Sequence, residues 1–419
     1  MRITILTYGT RGDVQPYVAL GIGLQRAGFT VRLAAPEPFA DVATGYGLDF
    51  APLPGDPAAL SRALVDEAGW NLLRTISAMF RFGLPLAKTL ILGVFAACDD
   101  ADAIIHSFLV TPLGHLIAQE RGLPEFGAYP LPIFIQTTAF QNPSFPASPF
   151  PVGPLRRAYH RLTHALFTQI MWQLNRLSYA GLRAFRSTWP PFPDFPFGDT
   201  SIPILFGFSP QVVPRAPEWP TTIHPTGYWT LPAPDDWQPP ADLVDFLAAG
   251  PPPVYIGFGS MTSRSMDQVT AAVRDALGLT GQRAIIGRGW SNWEQAAQAD
   301  NLLVIDSVPH DWLFPQMAAV VHHGGAGTTA AGLRAGVPSI IVPFTSDQPF
   351  WGWRVKSIGV GPEPIPRRRL TGERLAYALR VAATHQPMRE RAAALGETLR
   401  AEDGVGQAVA VINGYLNAT

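Results

Sequence analysis

Two stretches of this chain share one order of segments: a short run rich in β-branched residues, a glycine turn, and a segment of helical apolar period. Ile3 to Thr7 leads into a turn holding Gly9 and Gly12, then the periodic segment Tyr17 to Arg26, closed by Gly28, then the run Val31 to Ala35. A strand, loop, helix, strand unit of this kind belongs to an α/β domain with a parallel sheet. Ala103 to His106, Glu125 to Tyr129 and Ile133 to Thr137 read as further strands of that sheet. The order resumes with strands at Val254 to Phe258, Arg283 to Ile286, Leu302 to Ile305, Ala319 to His322 and Ser339 to Val342. Helices Met266 to Leu277 and Thr328 to Ala335 lie between them. The prediction is an α/β protein of two facing Rossmann-like domains with a cleft between them, and 419 residues suit two domains.

Between the halves prolines are dense, including Pro190-Pro191, Pro239-Pro240 and Pro251-Pro252-Pro253, which removes amide donors and disfavours helix. The expected divisions are an acceptor-binding domain over 1–215, a linker over 216–253, a nucleotide-sugar domain over 254–388, and C-terminal helices over 389–419 that pack back on the first domain. A hinge is expected near Pro214 to Pro253. Ala68 to Cys98 and Leu155 to Thr188 are apolar on more than one face, which suits either the walls of a pocket or helices packed on the sheet.

Hydrophobic residues make up 47% and charged residues 15%, enough to bury large cores and still line an apolar pocket. Lys plus Arg (31) nearly balance Asp plus Glu (32), so no whole-chain field attracts nucleic acid. One cysteine, Cys98, allows no internal disulfide and fits a reducing cytoplasm. The apolar run at the N-terminus is too short for a signal peptide. No window reaches the roughly 18 apolar residues of a spanning helix; Leu84 to Cys98 comes closest and contains Lys88. The expectation is a cytoplasmic protein, soluble or at most peripheral to membranes.

The run His322-His323-Gly324-Gly325-Ala326-Gly327-Thr328-Thr329 follows a strand and opens a helix. Small residues let backbone approach a ligand, and the free amides and dipole of a helix start favour an anion such as a diphosphate. His323 can add a donor and Thr328 a hydroxyl. The run lacks the Gly-Lys-Ser/Thr ending of a nucleotide triphosphate loop and the Gly-x-Gly-x-x-Gly spacing of a dinucleotide loop. Just past the next strand, Asp347 and Gln348 pair a carboxylate with an amide, suited to vicinal sugar hydroxyls at the same sheet edge. The competing reading of that pair is a surface turn with an Asp cap.

These motifs, with Val308-Pro309-His310-Asp311-Trp312 upstream, resemble the nucleotide-sugar signature of the UDP-glycosyltransferase superfamily, and more narrowly its sterol 3-beta-glucosyltransferase branch and bacterial natural-product relatives. Tyr255-Ile256-Gly257-Phe258-Gly259-Ser260, Gly289-Trp290-Ser291 and the opening Tyr8-Gly9-Thr10-Arg11-Gly12-Asp13 support the resemblance. It implies a GT-B fold with the donor held by the C-terminal domain. The diphosphate would lie along His323, Gly325, Ala326, Gly327 and Thr328, with the hexose at Asp347 and Gln348. Ser260 resembles the hydroxyl near the phosphates and Val308 the residue whose backbone reads uracil, while Trp290 is the candidate for base stacking. It further implies inverting transfer of glucose from UDP-glucose to an apolar hydroxylated acceptor, a sterol or similar polycyclic alcohol, without cofactor or metal.

Asp13 closes the first glycine loop, where a carboxylate can take the acceptor's proton. Read without the resemblance, it suits a helix N-cap three residues before Pro16. The alternatives carried forward are transfer to an aromatic or macrolide natural product, a non-catalytic sugar-nucleotide or lipid binder, and an NAD-dependent oxidoreductase built on Gly9, Gly12 and Glu37.

Overall fold

The computed structural model describes residues 1–57, 84–183, 199–234, 236–259, 266–289 and 301–418. They form two compact units, Met1–Leu231 with Asp403–Thr419, and Pro232–Glu402.

In the first unit the chain runs through β1 (Arg2–Leu6), α1 (Arg11–Arg26), β2 (Thr30–Pro36), α2 (Ala40–Gly45), β3 (Asp49–Leu53), α3 (Leu84–Ala97) and β4 (Ala103–His106). It continues through α4 (Thr111–Arg121), β5 (Glu125–Tyr129), α5 (Pro154–Arg183), β6 (Ile204–Phe206) and β7 (Ile223–Pro225). The strands form one sheet in the order β3-β2-β1-β4-β5-β6-β7, every pair parallel. Successive residues of a strand face opposite sides, and here both sides are apolar, as a sheet covered by helices on both faces requires. Ile3, Ile5, Ala103 and Ile105 join α1 residues Val18 and Leu24 in one core, whereas Leu6 and Ile104 join Val94 of α3 and Ile117 of α4 in the other.

The second unit holds α6 (Ala241–Ala248), β8 (Val254–Gly257), α7 (Met266–Thr280), β9 (Ala284–Gly287), β10 (Leu302–Ile305), α8 (His310–Leu313) and β11 (Ala319–His322). After these come α9 (Ala326–Ala335), β12 (Ser339–Ile341), α10 (Gln348–Ser357), α11 (Gly372–Thr384) and α12 (Gln386–Ala401). Its sheet is also all parallel, in the order β10-β9-β8-β11-β12. Val254, Ile256, Ala319 and Val321 face one core, and Tyr255 and Val320 the other.

The final helix, α13 (Gly404–Leu416), belongs to the first unit, where Ala408 and Ile412 enter the core beside α1. Gly23 of α1 makes that packing close, because a Cβ there would lie 2.3 Å from Val405 Cγ1. Among the described residues, no helix is long and apolar enough to cross a membrane.

Both Rossmann-like sheets form as expected, and several details differ. Ile133 to Thr137 is not a strand; Pro130 and Pro132 break the chain beforehand, and the apolar run is buried instead by packing, with Phe134 against Phe167 of α5 at 5.8 Å. The sheet positions beyond β5 go to β6 and β7. The expected linker 216–253 therefore contains β7 and α6, and the units part between Leu231 and Pro232. The expected C-terminal segment 389–419 is likewise divided, with α12 in the second unit and α13 in the first.

Three residues from β4, α4 and β5 form a buried polar group. Glu125 bridges His106 Nε2 (3.2 Å) and His115 Nδ1 (2.8 Å), and His106 Nδ1 meets Thr111 Oγ1 at 3.2 Å. Burial raises the Glu125 pKa, yet hydrogen bonds from the two histidines outweigh it and hold the carboxyl at about 2. Burial lowers the His115 pKa and its bond to Glu125 more than restores it, for a net rise. A depressed carboxyl stabilises the fold above its unfolded pKa and loses that contribution as pH falls toward 2. Glu125→Gln should cost about 3 kcal/mol at neutral pH, because it removes the charged acceptor shared by two buried imidazole rings. In thermal melts the gap from the parent protein should close as pH drops from about 5 to 2; a gap independent of pH would contradict a stabilising Glu125 carboxylate.

Candidate active site

In an open parallel sheet, ligands bind beyond the carboxyl ends of strands where the strand order reverses. The first sheet reverses between β1 and β4, the second between β8 and β11. The loop after β1 carries Asp13, and the loop after β11 carries His323 to Thr328.

In the first unit, Thr10 precedes α1 as its cap and Asp13 is the third helical residue, so the cap itself is Thr10. Asp13 Oδ2 accepts from Thr10 N (2.8 Å) and Thr10 Oγ1 (3.1 Å), while Asp13 N donates to Thr10 O (2.8 Å). This reciprocal arrangement satisfies otherwise orphaned amides and fixes the carboxylate. Gly9 has φ 145°, and a Cβ there would lie 2.4 Å from Asp13 Oδ2, so the loop needs glycine to seat the carboxylate. Asp13 is half-buried at the loop mouth.

In the second unit, α9 starts differently. Its cap is Gly325, which offers no side-chain acceptor to the first amides, those of Ala326, Gly327 and Thr328. His322, fully buried, accepts from Gly324 N through Nδ1 at 3.1 Å, which places its proton on Nε2. Burial holds its pKa well below the ordinary imidazole value. The His323 ring lies against two glycines: a Cβ on Gly325 would be 2.5 Å from its Nε2, and one on Gly259 would be 3.4 Å from its Cε1. Burial pushes the His323 pKa down to about 4, so at neutral pH the ring is an uncharged N–H donor. Its Nδ1 is buried without a partner.

Gly324, at φ 92°, brings this loop onto the next one, for a Cβ there would lie 2.6 Å from Ile341 Cγ2 and 3.1 Å from Gln348 O. In that next loop Asp347 caps α10 through its backbone, and its Oδ2 accepts from Trp351 Nε1 at 2.8 Å. Desolvation raises the Asp347 pKa. Gln348 departs from expectation: its Oε1 accepts from Phe344 N (2.7 Å) and Thr345 N (3.1 Å), and the side chain is buried. The accepting half of that amide therefore holds the loop in shape. Val308, half-buried, lies in the loop after β10. Ser260 and Trp290 lie outside the described residues. The loops holding Val308, Gly289, Gly259, His323 and Asp347 thus follow the carboxyl ends of all five strands.

Sequence reasoning passed over Trp351 and Thr10 as the groups that orient the two carboxylates. Trp351 stands four residues after Asp347, the spacing at which helix neighbours meet, and Thr10 three before Asp13, the spacing of a capping box.

Residues 3–120 match the family model of the glycosyltransferase family 28 N-terminal domain. Residues 290–410 match that of the Erythromycin biosynthesis protein CIII-like C-terminal domain. The backbone matches the kitacinnamycin glycotransferase with a TM-score of 0.72 at 20% identity, over 98% of both chains. It matches the calicheamicin glycosyltransferase CalG4 with a TM-score of 0.67 at 16% identity, over 100% of this chain and 98% of that one. The chain has the GT-B fold of these solved glycosyltransferases.

The chain is 36% identical over 98% of its length to a sterol 3-beta-glucosyltransferase of Arabidopsis thaliana and to another of Emericella nidulans. It spans 64% of the plant protein and 30% of the fungal one.

A buried carboxylate with a raised pKa weakens the fold above that pKa and not below the unfolded value. Asp347→Asn keeps an acceptor for Trp351 Nε1 and removes the charge. Its melting temperature at pH 7 should exceed that of the parent, with the difference fading as pH falls toward 4. A variant that melts lower at pH 7 would show that the charge itself holds the loop.

Proposed function

We propose that the chain is an inverting glycosyltransferase that moves glucose from UDP-glucose to a hydroxyl of a sterol or similar polycyclic alcohol, with Asp13 as general base. The observation that carries the donor half is the start of α9, a helix N-terminus at a switch point with a glycine cap and a neutral histidine whose Nδ1 has no partner. The amides of Ala326, Gly327 and Thr328, with Gly325 and the Thr328 hydroxyl, would meet the diphosphate, and His323 would donate to a phosphate oxygen. Asp347 would accept from hexose hydroxyls, Val308 would meet the base through its backbone, and Ser260 and Trp290 are assigned to phosphate and base on resemblance alone.

In the reaction, the acceptor oxygen attacks C1 on the face opposite the phosphate. The C1–O bond to UDP breaks as the new bond forms, giving a β-glucoside from an α-linked donor. Asp13 takes the acceptor's proton, and the capping interactions from Thr10 hold its carboxylate toward the loop mouth. Charge that develops on UDP is met by the α9 amides and His323, so no metal is needed in this scheme. The sterol acceptor rests on the 36% identity to sterol 3-beta-glucosyltransferases along 98% of the chain.

His323→Ala should weaken UDP binding by roughly ten- to a hundredfold, the worth of a hydrogen bond to a charged group. Asp13→Asn should leave UDP affinity within about twofold and lower kcat by at least about a hundredfold. Unchanged turnover in Asp13→Asn would sink the base assignment. Turnover lost in EDTA and restored by Mg²⁺ would sink the metal-free scheme. An acceptor panel with mass detection tests the substrate class, since products from aromatic or macrolide alcohols and none from sterols would replace the sterol reading.

A further inference from the structure

Helix α5 spans 30 residues and contains no Asp or Glu, yet carries Arg156, Arg157, Arg161, Arg176 and Arg183, in a chain of net charge −1. Leu155, Leu162, Leu166 and Leu177 are separated by 7, 4 and 11 residues, near whole turns of a 3.6-residue helix, so they form one stripe. The stripe faces away from the core: these leucines are 64%, 55%, 44% and 52% exposed. On the opposite face His160, Thr163 and His164 are buried. They fasten the helix down, His160 Nδ1 to Thr138 O at 2.7 Å and Thr163 Oγ1 to Asn142 N at 3.0 Å. The loop before α5 adds Phe150 and Val152, 38% and 75% exposed. Arg161, Arg176 and Arg183 fall along one flank of the stripe and are exposed.

We propose that the leucine face of α5 docks the protein on an anionic phospholipid surface, with the leucines entering the outer acyl layer and the arginines meeting lipid phosphates. A helix about 45 Å long with an apolar stripe and a purely basic flank is the arrangement that lies in the plane of a membrane interface. Charge selects lipid over a second copy of the chain, because self-pairing of this face would set three arginines against three. The leucines stand out from a helix face, which a fluid acyl layer fits and a rigid partner must match residue by residue. The guanidinium stems can lie along the apolar layer with their charges at the phosphates. The proposal does not rest on the transfer reaction.

Flotation of the full chain with vesicles tests it. Binding is expected to vesicles with about 30 mol % phosphatidylserine, absent with phosphatidylcholine alone, and weakened by salt. Leu162→Gln with Leu166→Gln should lower the bound fraction about tenfold or more. Arg161→Glu with Arg176→Glu should do the same, each charge near an anionic surface counting for roughly fivefold. Leu279→Gln, which alters an exposed leucine of the second unit, should bind as the parent does. Equal binding to both kinds of vesicle, parental binding by either double variant, or a parent that self-associates and becomes monomeric in the leucine variant without floating would each overturn the proposal. Because flotation needs no turnover, failure of the glucosyl-transfer reading leaves this result untouched, and the reverse holds.

Discussion

A helix that begins where a parallel strand ends leaves its first amides without partners, and what satisfies them decides what each unit of this protein can do. Both units place such a helix at the reversal of their strand order. In α1 the requirement is met from within: Thr10 and Asp13 cap one another, and the positive end of the helix already holds a carboxylate. In α9 it is left open, because Gly325 has no side chain to offer and His323 is swung against two glycines. One architecture therefore presents a fixed carboxylate in one unit and an uncapped helix start in the other. An internal anion at α1 also argues against a dinucleotide pyrophosphate there, since Asp13 occupies the position it would need.

Burial sets the chemistry of the groups around α9. Desolvation keeps His322 and His323 uncharged, so the loop offers hydrogen-bond donors without a fixed cation, and it raises Asp347 rather than stabilising its charge. The strain this implies is localised. Gln348 turns its amide oxygen inward to two loop amides, and Trp351 gives its indole N–H to Asp347, so neighbouring side chains maintain a carboxylate that burial disfavours. In the first unit, the buried Glu125 is matched by histidines from two other elements and falls the opposite way.

The parallel strands of the second unit were legible because each is a short apolar run, three of them (β8, β9 and β12) beside glycine or proline, and helix α9 could be placed from Gly324 and Gly336. Ile133 to Thr137 had the same apolar character and is no strand, since Pro130 and Pro132 break the chain before it and Ile133 N turns back to Leu131 O. β6 and β7 escaped notice because three paired residues within proline-rich sequence leave no periodicity to read. Asp13 and Asp347 could be found as carboxylates at strand ends, but the residues that orient them needed the helix registers. The His106, Glu125 and His115 group spans three elements, so only the fold brings it together.

The central claim is that the open amides at the start of α9 receive the donor diphosphate. Amide proton and nitrogen shifts followed by NMR during titration with UDP test it most directly. Ala326, Gly327 and Thr328 should move downfield together and saturate at one dissociation constant, while Thr10 to Asp13 of α1 stay in place. Shifts centred on Gly9 to Asp13, with Ala326 to Thr328 unmoved, would contradict the account.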